Sequence, residues 1–173
     1  MKLIKLTALP LAVLGFLVIL NSCESDAEMK KTTDFSKSGI VMTGSKEVPP
    51  NTSAAIGKLD VYYTRETRVL TYTVTWTGLT DSITSMQIRG LAPEGYASAT
   101  VVQNIVASSN GIFAQKTSGK YTYSKSGSLT GTLLVDGVLV KENDLINGQY
   151  YINIFTNSPL YPQGEIRGQI KFQ

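Results

Sequence analysis

The chain has 173 residues, 42% of them apolar and 17% charged, with one cysteine, no histidine and 15 glycines. Those totals fit one globular domain with a short appendage and exclude a disordered, collagen-like or polytopic membrane protein. Removing residues 1–22 removes Lys2 and Lys5 but no acid, leaving 16 − 2 = 14 basic residues against 13 acidic ones, a net charge of +1. That balance gives no electrostatic basis for a nucleic-acid partner. The remaining 173 − 22 = 151 residues suffice to bury roughly 70% of the unfolded surface without disulfides.

The absence of histidine excludes Ser-His-Asp and Cys-His nucleophile pairs and the usual catalytic zinc sites. No Ser-x-x-Lys, no Gly-x-x-x-x-Gly-Lys and no dinucleotide fingerprint occurs either. We therefore expect no metal, no cofactor and no enzymatic activity. Carboxylate chemistry stays open as the alternative, with Glu47, Asp60, Glu94 and Glu165 as the acids that the fold would have to bring together.

In chain order, Met1–Lys5 gives a positive start, and Leu6 to Leu20 an apolar run interrupted by Thr7 and Pro10. The run is shorter than the ~20 residues of a spanning helix and predicts a secretory signal over 1–22. Leu20-Asn21-Ser22-Cys23 resembles the lipobox of bacterial lipoproteins. The resemblance implies cleavage before Cys23 and lipid on its thiol, which accounts for a lone cysteine in an exported chain. Residues 23–37 then read as the lipidated cysteine and a polar, flexible tether. Its early acids Glu24, Asp26 and Glu28 resemble the export signal of surface lipoproteins in Bacteroidetes-type bacteria. The expected location is the bacterial cell envelope, as an outer-membrane lipoprotein, with surface exposure implied by the acidic run.

From residue 38 to 173 the period is two, the strand period. In Leu70–Thr77, Leu70, Tyr72, Val74 and Trp76 share one face and four threonines the other, the pattern of an antiparallel strand with one wet side. Further strands are predicted over Gly39–Thr43, Ala55–Tyr63, Ile83–Arg89, Thr100–Ile105, Gly111–Gln115, Lys120–Tyr123 and Tyr150–Thr156, with a helical turn ending at Gly148. The closing strand, Glu165–Phe172, is predicted to turn Ile166, Ile170 and Phe172 inward and Glu165, Arg167, Gln169 and Lys171 outward. Eight or nine such strands suggest an all-β, antiparallel Greek-key sandwich in one domain over 38–173.

Gly44-Ser45-Lys46-Glu47-Val48-Pro49-Pro50, Gly57, the Leu70–Leu79 strand, Gly148–Ile154 and Gly164-Glu165-Ile166-Arg167-Gly168-Gln169 together resemble the CHRD domain, first described in chordin. The resemblance spans roughly residues 39–172. It implies an immunoglobulin-like or superoxide-dismutase-like sandwich and no established enzymatic activity. Family members commonly carry an Ala-His-Ile-His-Gly strand, here Met86-Gln87-Ile88-Arg89-Gly90, and a Val-His-Thr segment, here Ile154-Phe155-Thr156. Gln87, Arg89 and Phe155 thus replace the three histidines, so no metal is expected at that place.

Two readings attach to each remaining feature. Gln87, Arg89 and Phe155 form either a recognition patch or a plain solvated strand face. Glu47, Glu165 and Arg167 are taken as structural family signature, with exposed pairing of Glu165 and Arg167 contributing ~0.2–1 kcal/mol; Glu47 with Glu165 is the pair a glycan hydrolase would use. Pro49 and Pro50 shape the exit from strand one, or offer a docking strand. Tyr62, Tyr63, Tyr121, Tyr123, Tyr150, Tyr151 and Tyr161 are either strand residues or sugar-stacking surfaces. The Asn51-Thr52-Ser53 sequon is read as coincidence. The function expected is a membrane-anchored, non-catalytic binding or structural module whose partners are the membrane, through Cys23, and a protein or glycan ligand.

Overall fold

A computed structural model describes residues 34–97, 99–105, 114–117 and 120–172. The signal segment, Cys23 and most of the predicted tether lie outside the described residues, as does most of the predicted strand Gly111–Gln115. The strands are β1 (Phe35–Thr43), β2 (Ile56–Thr64), β3 (Val69–Thr77), β4 (Ile83–Gly90), β5 (Val101–Asn104), β6 (Ala114–Thr117), β7 (Lys120–Tyr123), β8 (Gly127–Leu134), β9 (Tyr150–Thr156) and β10 (Ile166–Gln169). One short helix, α1 (Glu142–Ile146), precedes β9, and the helical turn passes into Gly148 at φ +69°, a left-handed conformation that suits glycine. Among the described residues no helix is long and apolar enough to cross a membrane.

All pairings are antiparallel, and the order is β5-β4-β9-β10-β1-β2-β3-β8, with β6-β7 a separate hairpin. A single register pair, Thr43 with Arg167, joins β1 to β10. The sheet folds at that seam into two four-stranded halves, β5-β4-β9-β10 and β1-β2-β3-β8, which enclose one core of side chains from both. The open edges meet through Gln103 of β5, which accepts from the Tyr72 hydroxyl (3.1 Å) and donates to the Thr132 carbonyl of β8 (3.0 Å). The all-β sandwich expected from the two-residue period is the architecture observed.

β3 shows why the alternation works. Leu70, Tyr72, Val74 and Trp76 are all buried, and the opposite face carries a Thr73–Thr130 hydroxyl contact at 2.8 Å. β8, in contrast, was not among the predicted strands, because its Gly-Ser-Leu-Thr-Gly-Thr segment reads as turn chemistry. In the fold its glycines face large rings: Gly127 pairs with Trp76 and Gly131 with Tyr72. A Cβ at Gly127 would stand 2.8 Å from the Trp76 ring, and one at Gly131 would overlap the Tyr72 hydroxyl and ring. Aromatic side chains on β3 thus fill the space that glycine leaves on its neighbour. Gly131→Ala is expected to cost about 1–3 kcal/mol as overpacking and to loosen the Tyr72–Gln103 closure, measured as a lowered Tm.

Two expectations need correction. β1 begins at Phe35, not after residue 37. The Phe35 ring stacks on Tyr63 at 6.4 Å and meets Phe172 edge-on at 5.8 Å, with the Arg65 guanidinium 4.9 Å above it. Residues 35–37 therefore belong to the sandwich, because one aromatic there finds three partners. Nor are Glu165, Arg167 and Gln169 solvated; they are 0%, 2% and 2% exposed. They do point away from the core, but residues 44–55 and 91–97 roof that outer face. Only Lys171 stays exposed, paired with Glu94.

Candidate functional site

The roofed face is built from β4, β9 and β10. Register places Gln87 opposite Asn153, Arg89 opposite Tyr151 and Arg167 opposite Asn153, so the odd-numbered residues of these strands share one side. Their even-numbered neighbours Ile88, Ile152, Ile154 and Ile166 fill the core. The site is the back of a strand set whose front is fully packed.

The segment Gly164–Gln169 clamps the roof down, one residue after another. The Glu165 carboxylate accepts from Ser53 Oγ (2.8 Å), Thr80 N (2.8 Å), Thr80 Oγ1 (2.9 Å) and Thr156 Oγ1 (2.6 Å). Arg167 lies 3.5 Å from the Tyr151 ring centroid and donates to Tyr96 O (2.8 Å), Pro93 O (3.4 Å) and Gln169 Oε1 (3.2 Å). Gln169 donates to Ala92 O (2.8 Å) and Gly148 O (2.7 Å). Charge-assisted bonds of this kind satisfy buried groups that would otherwise be costly. The expected weak surface pair between Glu165 and Arg167 is replaced by two separate buried networks. A Cβ at Gly168 would overlap Met42, so that position is closed to larger residues.

The other roof segment descends from β1. A 3₁₀ turn, Gly44–Lys46, follows the strand, and Val48-Pro49 is a cis peptide. Pro49 and Pro50 therefore lie in the chain's exit from β1 and its turn. Asn51 ties this segment to β10: its amide donates to Gly164 O (3.0 Å) and Glu165 O (3.1 Å). A glycan on that nitrogen would displace both bonds, in keeping with the sequon as coincidence.

Glu47 is the chemically distinctive residue. It is 3% exposed, and its two oxygens accept from Asn153 Nδ2 at 3.1 and 3.0 Å. That amide nitrogen also donates to Gln163 O (3.2 Å). Burial pushes the Glu47 carboxyl up to about 7, against the Asn153 hydrogen bond and the charges of Arg167 and Arg89, which favour ionisation. Burial likewise pushes the Arg167 guanidinium down. Gly164, at φ +123°, leaves room for this pair, since a Cβ there would stand 2.7 Å from Glu47 Oε1 and would overlap Asn153 Nδ2.

Beside this network the structure brings Gln87, Arg89 and Phe155 together. All three are partly exposed, and the Arg89 guanidinium lies 5.8 Å from the Phe155 ring centroid, within cation–π range. Two buried atoms at the junction, Arg89 Nε and Asn153 Oδ1, have no hydrogen-bond partner among the described residues. Arg89 and Phe155 are thus in contact, and Gln87 pairs across the strands with Asn153, the partner of Glu47. Of the tyrosines, Tyr63, Tyr150 and Tyr151 are buried, whereas Tyr62 is 46% exposed on the other half of the sandwich. The side chains of Tyr121 and Tyr123 lie outside the described residues.

Sequence reasoning passed over Asn153 and Gly164 as site residues and weighed Tyr151 only as a strand residue or a sugar-stacking surface. The available signal was an asparagine in the middle of an apolar strand, a position where that residue is depleted. Among the described residues no three Asp, Glu, His or Cys side chains gather as a metal site would require. As for the hydrolase pair, Glu165 is enclosed by donors and apart from solvent, so Glu47 has no second catalytic carboxylate in it.

The family model for the CHRD domain matches residues 39–170, from the bulged part of β1 through β10 and just beyond it. No curated protein and no solved structure gives a match. With the matched region covering most of its length and holding both roof segments and the clamp, the chain belongs to the CHRD domain family.

Proposed function

We propose that the protein is an exported lipoprotein, acylated on Cys23, whose CHRD domain is a non-catalytic binding module at the cell envelope. The observation that carries the binding role is the convergence of Arg89, Phe155 and Gln87 on a rigid, hydrogen-bonded base. Arginine and aromatic side chains are favoured anchors, and the partly exposed Arg89 carries guanidinium N–H donors suited to a ligand oxygen. A glycan or protein ligand fits this chemistry; nucleic acid does not, given the near-neutral charge. Anchoring rests on the signal segment and lipobox-like residues, and outward exposure on Glu24, Asp26 and Glu28.

The test joins location to binding. In intact cells, the native protein is expected in the membrane fraction and open to external protease, and Cys23→Ala in the soluble fraction. Surface glycans and proteins from the same cells are expected to bind the native protein about tenfold or more tighter than Arg89→Ala/Phe155→Ala, a loss of about 1.4 kcal/mol or more. Equal binding by the two would refute the patch. Membrane retention of Cys23→Ala would refute the anchor.

A further inference from the structure

One end of the sandwich carries an apolar tip that nothing among the described residues covers. Val138 is 82% exposed, and Leu139 and Leu134 are 56% and 57% exposed. This tip is built, not frayed. Asp136 Oδ1 accepts from the backbone N–H of Val138 (2.8 Å), Leu139 (2.9 Å) and Val140 (2.9 Å), and Gly137 N donates to Val140 O (2.9 Å). Val140, just behind, is buried in the core. The turn therefore holds Val138 and Leu139 away from the core in a fixed loop, where water is the worst solvent for them.

The chain enters the domain at the same end. Phe35 opens β1 opposite Tyr63, and Tyr63 and Arg65 both bond to Glu142 (2.9 and 2.7 Å), which follows the tip. Val135 N donates to Arg68 O (2.8 Å) in the β2–β3 turn, and Val69 pairs with Leu134. From Cys23 to Asp34 is 34 − 23 = 11 residues, a reach of at most about 40 Å. An acylated Cys23 thus tethers the domain to the bilayer through this end, and not through the far end at the β9–β10 connection.

We propose that Val138 and Leu139, with Leu134 beside them, form a membrane-contact tip that dips into the lipid surface to which Cys23 is anchored. The inference rests on the acylation reading above. Around the tip, the basic residues Arg65, Arg68 and Lys141 are outnumbered by the acids Asp34, Glu66, Asp136, Glu142 and Asp144. Attraction to anionic headgroups is therefore not the driving force, and contact is apolar and indifferent to salt. Docking would hold the domain in one orientation, with the β9–β10 connection pointing away from the membrane.

The test uses the full-length, matured protein in phosphatidylcholine vesicles, with acylation of Cys23 verified by mass. Because acylation blocks Cys23, Val138→Cys and Leu160→Cys each offer one thiol for an environment-sensitive fluorophore. Leu160 is the control, 73% exposed in the β9–β10 connection. Quenching by spin-labelled lipid is expected to be about threefold or more greater at 138 than at 160, and unchanged up to about 0.5 M salt. Equal quenching in acylated protein overturns the tip and leaves the anchor standing. Absence of acyl mass overturns both. A probe at 138 shielded equally in Cys23→Ala without vesicles means that a second copy covers the tip, and overturns the inference.

Discussion

Glu165→Ala is expected to destabilise the domain by about 3–5 kcal/mol, the scale of removing one partner from a buried charged network. The carboxylate is 0% exposed and accepts from Ser53, Thr80 and Thr156, which come from the β1–β2 segment, the β3–β4 connection and β9. Truncation leaves these donors facing a cavity, and each buried unsatisfied donor costs about 1–3 kcal/mol, not additively. Glu165→Gln keeps one acceptor oxygen but turns the other into a donor facing donors, so it is expected to lose most of the same stability. Denaturant unfolding at neutral pH measures both variants. A shift of the midpoint without a change in slope would show that the native clamp is what was lost. A loss below about 1 kcal/mol for Glu165→Ala would mean that the roof segments hold without the clamp.

The strand order explains which parts of this were legible beforehand. Period two identifies a strand and its two faces, and it did so for β3, where the outer threonines meet solvent and the inner residues meet the core. The same rule assigned Glu165, Arg167 and Gln169 to water, because alternation distinguishes faces without saying what covers the second one. Here residues 44–55 and 91–97 cover it, and the polar residues of β10 are the attachment points of those loops. Charged residues alternating with isoleucine are thus compatible with full burial when loop carbonyls and hydroxyls stand opposite them. β8 was hidden for a different reason: its glycines look like punctuation until Tyr72 and Trp76 are seen to occupy their missing side chains. Gln87, Arg89 and Phe155 were legible as departures from a family pattern, but their convergence depends on β4 pairing with β9, a contact between residues 60 or more apart in the chain.

The second large effect is a pH dependence set by Glu47. Its carboxyl is raised from 4.5 to about 7 in the folded state, chiefly by burial, so folding favours the protonated form. In the pH range below 4.5 both folded and unfolded chains carry the proton, and the contribution is complete. Between 4.5 and 7 the unfolded chain has released it and the folded chain still holds it, so stability falls as pH rises, and levels off above 7. A rise from 4.5 to about 7 corresponds to about 3 kcal/mol. With no histidine in the chain, no side chain with an ordinary pKa titrates between pH 5 and 8 to mask this slope. Asp60, Glu94 and Asp136 are held below their usual range, and they act in the opposite sense and only at lower pH. Glu47→Gln keeps an acceptor for Asn153 Nδ2 but has no proton to lose. Denaturation midpoints at pH 5 and pH 8 are therefore expected to fall for the native protein and to stay level for Glu47→Gln, with the variant gaining about 2–3 kcal/mol relative to the native protein across that interval. Parallel behaviour of the two proteins would show that the Arg167 and Arg89 charges keep Glu47 ionised, and would turn the site from a buried acid into a buried anion held by two guanidiniums.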